Sequence, residues 1–198
     1  MKRVVLLVIV LAVAGFLAYQ FVWKKEDSAP GEKQKPLSIG KNSGTFNESY
    51  SKLLTAYYGV KDALVASDTV KANKAARELA IAADSLKLDE IKGDSTGVIK
   101  ETAKTYTGTV TGSALGLAGE KDIEAKRKEF DMLSDAIWSL TRTVKYSGQK
   151  IYYHFCPMAF DNKGAYWLSN VSEIKNPYFG EKMLTCGSVQ DSLYYGKN

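Results

Sequence analysis

The chain has no C-x-x-C redox pair, no G-x-S-x-G nucleophile elbow and no glycine-rich phosphate loop. Disulfide exchange, serine-hydrolase chemistry and nucleotide phosphate binding therefore lack their usual sequence support. Asp89-Glu90 falls in a predicted loop and reads as solvated surface, so no carboxylate pair presents itself for acid–base work. A net charge of +5 is modest, and no basic patch with interleaved aromatics occurs. Nucleic-acid binding is thereby disfavoured. There is no internal repeat, and no cysteine follows the apolar N-terminal run to carry a lipid. The expectation is a protein that is not an enzyme.

Histidine and cysteine are scarce, and what there is of them is clustered. The one histidine, both cysteines and two of the four methionines lie in one C-terminal window: His154, Cys156, Met158, Met183 and Cys186. Thiolate, thioether and imidazole select soft or borderline ions such as Cu(I), whereas carboxylates and water select Mg or Ca. Residues 150–160, KIYYHFCPMAF, are rich in β-branched and aromatic residues and predict a strand. Alternation then puts His154, Cys156 and Met158 on one face, with Tyr153, Phe155 and Pro157 on the other. Because proline cannot donate to a ladder, Pro157 implies an edge strand or a bulge. Met183 and Cys186, three apart, share a side if they lie on a helical turn.

Two other readings of the same residues stay open. Methionine and free cysteine are common core fillers. In an oxidising compartment two cysteines more often pair, and a Cys156–Cys186 bridge would close a loop worth roughly 3–4 kcal/mol in the chain-entropy model. His154 and Cys156 could also form an activated Cys–His pair, but no third orienting group is evident.

At the other end, Val4–Trp23 is apolar except for Gln20, with Lys2-Arg3 before it and Lys24-Lys25 after it. About twenty such residues span a bilayer as a helix, so residues 1–25 predict a signal-anchor. Ala12-Val13-Ala14 offers a cleavage site, which would make the protein secreted. The positive-inside rule pushes weakly toward a cytoplasmic N-terminus, placing the C-terminal domain in the periplasm with its anchor in the inner membrane. Residues 26–45, with Pro30 and Pro36, read as a flexible linker.

Residues 46–198 predict one domain that is mainly α: an up-down four-helix bundle over 46–148 and a small β-hairpin cap over 149–198. The helices are expected at about 47–66, 69–86, 95–117 and 120–146. Their inward stripes are Tyr50, Leu53, Leu54, Tyr57, Val60 and Leu64; Val70, Ala76, Leu79, Ala83 and Leu86; Ile99, Ala103, Tyr106, Val110 and Leu117; and Ile123, Phe130, Leu133, Ile137, Leu140 and Val144. Gly108, Gly112 and Gly116 predict close packing against a neighbouring helix. Asp161-Asn-Lys-Gly164 is a turn signal between strands 151–160 and 165–169. Tyr166, Trp167, Tyr178 and Phe179 are expected to pack this cap on the bundle.

Four tail motifs carry a resemblance. His154-Phe-Cys-Pro-Met-Ala159, Gly164-Ala-Tyr-Trp-Leu-Ser169, Ile174-Lys-Asn-Pro-Tyr-Phe-Gly180 and Lys182-Met-Leu-Thr-Cys-Gly187 resemble the signature of the DUF3347 family. Asp122-Ile-Glu124, Phe130 and Leu133-Ser134 look like its helical half. The resemblance spans roughly residues 46–191. The family has no assigned biochemical role, but it occurs free-standing in the cell envelope and fused to periplasmic adaptors of copper/silver efflux systems. The resemblance thus implies soft-metal handling, with Cu(I) or Ag(I) held by Cys156, Met158, Met183 and Cys186 and with His154 as a fifth candidate. The partners it implies are efflux adaptor or pump components. The alternative is a disulfide-stapled envelope module for protein interaction, without metal.

Overall fold

In a computed structural model, residues 42–196 are described. The predicted anchor of residues 1–25 and nearly all of the linker lie outside them. Among the described residues no helix is long and apolar enough to cross a membrane.

Among the described residues four long helices come first: α1 Gly44–Val65, α2 Thr69–Asp84, α3 Val98–Gly119 and α4 Ile123–Val144. Side-chain caps fix three of their starts. Ser43 accepts from the Phe46 amide (3.1 Å), Asp68 from Lys71 (2.9 Å) and Asp122 from Ala125 (2.9 Å). The first cap moves the start of α1 back into the predicted linker. Lys145, rather than a glycine, adopts the left-handed conformation that ends α4 (φ 47°).

The helices alternate in direction in a bundle-like arrangement. Near the start of α4, buried Lys126 donates to Leu117 O (2.8 Å) and Glu120 O at the end of α3, and to Asn73 near the start of α2. At the opposite end Asn42, just before α1, donates to Val144 O at the end of α4 (2.7 Å).

Between α1 and α4 the core is aromatic. Tyr57 stacks on Phe130 with centroids 5.2 Å apart, while its hydroxyl bonds Ser134 (2.7 Å). The Tyr50 hydroxyl bonds Thr141 (2.7 Å). These bonds make burial of the phenols tolerable.

The expected stripes are buried with few exceptions. Val70 is 77 % exposed, because it stands in the first turn of α2 on the side away from the Ala72–Ala76–Leu79–Ala83 seam. Tyr106 and Ile123 are only partly buried. The glycine reading is also corrected. A Cβ at Gly108 or Gly112 would meet nothing within 4 Å, and one at Gly116 would touch only the Glu129 side chain. The first two face solvent, so packing does not explain them.

The cap is a three-stranded antiparallel sheet instead of a hairpin. Its strands are β1 Ile151–Cys156, β2 Ala165–Ser169 and β3 Ser188–Leu193, in the order β2-β1-β3. β1 is therefore central, not an edge. It ends at Cys156, so Pro157 follows the ladder and breaks none of its bonds. A register shift against β3 falls between Tyr153 and His154.

The cap packs on α4 and α1. Tyr153 stacks on Trp138 (centroids 4.1 Å apart), and the Leu168 amide donates to the Tyr57 hydroxyl (3.0 Å). Of the expected packing aromatics, Trp167 and Tyr178 are buried, while Tyr166 and Phe179 are partly so.

Candidate metal or redox centre

Strand geometry sets the first half of the site. In the β1–β2 ladder His154 pairs with Trp167, and Cys156 with Ala165. Cross-strand partners and residues two apart share a face. His154 and Cys156 therefore lie on one face, and both are fully buried. Met158 does not join them. It sits beyond the strand, in the turn before Ala159, and is 45 % exposed. That turn is left-handed at three non-glycine residues, Phe160, Asp161 and Asn162 (φ 52°, 58° and 66°).

The second half comes from the segment between β2 and β3, which the bundle holds in place. Buried Arg127 of α4 donates from Nε to Pro177 O (2.9 Å), and from Nη2 to Leu64 O (3.4 Å) and Ser67 Oγ (3.2 Å). Gly180 (φ +58°) presses on the end of α1, where a Cβ would come within 2.7 Å of Val65 O. The Tyr178 hydroxyl donates to Tyr166 O. After a 3-10 turn at Gly180–Met183, the Cys186 amide bonds Met183 O (3.0 Å). Gly187 lets the chain lie against β1, since a Cβ there would be 2.8 Å from both Phe155 O and Trp167 Cη2.

These two halves bring the sulfurs of Cys156 and Cys186 to 3.2 Å. Cys186 is only partly buried, which gives the pair a solvent-facing side. Its hydrogen bond with Cys156, together with desolvation and the neighbouring sulfur's charge, holds its thiol above the ordinary value. A thiol so shifted is a poor spontaneous nucleophile, because the thiolate is the reactive form.

The sulfur spacing lies between two chemical outcomes. Two sulfurs about 2.3 Å from one tetrahedral ion are about 3.8 Å apart, so ion uptake opens the pair by about half an ångström. A disulfide, at about 2.05 Å, requires closure by about 1.1 Å.

His154 is buried with both ring nitrogens lacking a hydrogen-bond partner. Its ring meets Trp167 edge to face (centroids 5.2 Å apart). Desolvation, then the nearby Lys61 ammonium, lowers its pKa to about 4, so the ring is neutral at pH 7. A neutral imidazole with a free nitrogen is the form that ligates metals. Even so, no three His, Cys, Asp or Glu side chains converge on one point among the described residues. The structure unites the two cysteines, puts Met183 on the adjoining turn and leaves Met158 at the surface.

No residue spacing points to Arg127, Asn176 or Lys61, all buried and polar.

A family model described as a protein of unknown function (DUF3347) matches residues 53–149. The matched segment runs from the middle of α1 through α4 and stops before β1, so it includes neither cysteine. No curated protein and no solved structure matches the chain.

Proposed function

The chain belongs, through residues 53–149, to the DUF3347 family of proteins of unknown function, and from its cysteine pair we propose that it binds one soft monovalent ion, Cu(I) or Ag(I). The observation that carries this reading is the 3.2 Å approach of two sulfurs thirty residues apart in sequence. Thiolates select such ions. Cys156 and Cys186 are the primary ligands in this proposal. Met183, on the turn before Cys186, is a candidate thioether ligand and buried His154 a candidate nitrogen ligand in this proposal, while Met158, exposed beyond β1, is not drawn in. The Cys186 thiol is held above its ordinary value and the thiolate is the ligating form, so uptake releases a proton and weakens as pH falls. The proposal extends to an inner-membrane anchor at residues 1–25, a domain in the periplasm, and transfer of the ion to efflux adaptor or pump components.

An anaerobic titration of the reduced protein with Cu(I) against a competing chelator tests it. One equivalent is expected, lost in the Cys156→Ser, Cys186→Ser double variant. Unchanged stoichiometry in that variant would sink the metal site.

The same sulfur contact favours a second reading, in which the pair is oxidised and the cap is a stapled docking module of the envelope. Native protein two hydrogens lighter than the reduced chain would support that reading, and free thiols would count against it.

A further inference from the structure

We propose that Asn176 is the positioning residue of the cysteine pair, presenting Cys186 to Cys156 before any ion or oxidant arrives. This rests on the cysteine pair being the site, but not on which chemistry the pair performs.

Asn176 is fully buried and uses four polar groups on four partners. Its amide donates to Leu184 O (2.8 Å), and its carbonyl accepts from the Gly180 amide (3.0 Å). Its side-chain oxygen accepts from the Tyr178 amide (2.8 Å), and its side-chain nitrogen donates to Cys186 O (2.7 Å). One residue thereby ties both ends of the segment 176–186. The Cys186 amide is held separately by Met183 O (3.0 Å). With both backbone groups of Cys186 fixed, little freedom remains beyond χ1 for the sulfur. The anchor under Asn176 is rigid as well, since Arg127 grips the next residue, Pro177, by its carbonyl.

A pair held in this way has a high effective concentration, because ordering the partners has been done by the fold. The bond to Cys186 O is the separable part. Serine at 176 can still accept from the Tyr178 amide as a hydroxyl turn, but it cannot reach Cys186 O.

The test is thiol–disulfide equilibrium in glutathione buffers. In it, Cys156 and Cys186 lose two electrons and two protons to form one S–S bond, and one oxidised glutathione is reduced to two thiols. The equilibrium constant gives the effective concentration of the pair. Asn176→Ser is expected to lower it at least tenfold, with reduced protein that still unfolds cooperatively. A value within twofold of wild type would overturn the proposal. So would loss of folding in reduced Asn176→Ser, which would make Asn176 a residue of the whole fold. If wild type binds no Cu(I) but the effective concentration falls as expected, the metal reading fails and the positioning role stands.

Discussion

Replacing His154 by leucine is expected to stabilise the metal-free protein. The imidazole is fully buried with two unbonded nitrogens. A buried polar atom left without a partner costs about 1–3 kcal/mol. The edge-to-face contact with Trp167 recovers part of that for one ring edge, about 0.5–1 kcal/mol. Leucine is close to histidine in size and carries no polar atom, so removing two unbonded nitrogens, less the Trp167 contact, gains about 1–5 kcal/mol at pH 7.5.

The pH dependence is the sharper test. In the folded state the ring's pKa is lowered from 6.5 to about 4, first by burial and then by Lys61. The unfolded chain therefore takes up a proton before the native state does. Stability that is present above about pH 6.5 is lost progressively as pH falls toward 4, by about 3 kcal/mol. His154→Leu has no such loss, so its advantage over wild type widens on acidification. Urea unfolding of both reduced proteins between pH 7.5 and 4 measures this directly. Destabilisation by the substitution at pH 7.5, or parallel pH profiles, would refute the account of His154 as an unsatisfied neutral ring. If the same variant binds Cu(I) more weakly while unfolding later, the unsatisfied nitrogen is retained for a ligand at the expense of stability.

Three further outcomes are expected. Arg127→Met keeps the aliphatic stem but strips Pro177 O, Leu64 O and Ser67 of their donor. It should cost about 2–4 kcal/mol in urea unfolding, and exchange of the 176–180 amides should rise before global unfolding. Gly180→Ala places a Cβ 2.7 Å from Val65 O at φ +58°, and should lower stability by at least about 1–2 kcal/mol from the left-handed backbone alone. Asp131 is half-buried, and desolvation, then the charge of Asp135, raises its pKa. A raised folded-state pKa means the ionised form disfavours folding, so Asp131→Asn should be more stable than wild type at pH 7. That difference should shrink as pH falls through the carboxylate range.

The α-helical part was readable because it is specified locally. Stripes at 3.6-residue spacing and the Asp68 cap place α1, α2 and α4 within a few residues of their ends. Errors arose where one residue's environment depends on its neighbours. Val70 fits the apolar spacing yet stands outside the seam, and Gly108 and Gly112 have close-packing spacing but nothing beside them. The third strand, SVQDSL, could not be seen because five of its six residues are neither β-branched nor aromatic, and it is largely exposed. Only pairing with β1 makes it a strand, and that pairing turns the expected edge into the centre of the sheet.

The sequence by itself determined which side chains were available for soft-ion or redox chemistry. It also determined that Cys156 lies two residues from His154 on a strand, because period-two alternation is a property of the local backbone. Tertiary structure alone decided that Cys186 meets Cys156 while Met158 faces water. Cys186 lies on a loop bonded by Arg127 through Pro177 O and by Asn176 through Cys186 O, and Met158 lies past the end of β1; contacts of this kind leave no periodic trace in the chain.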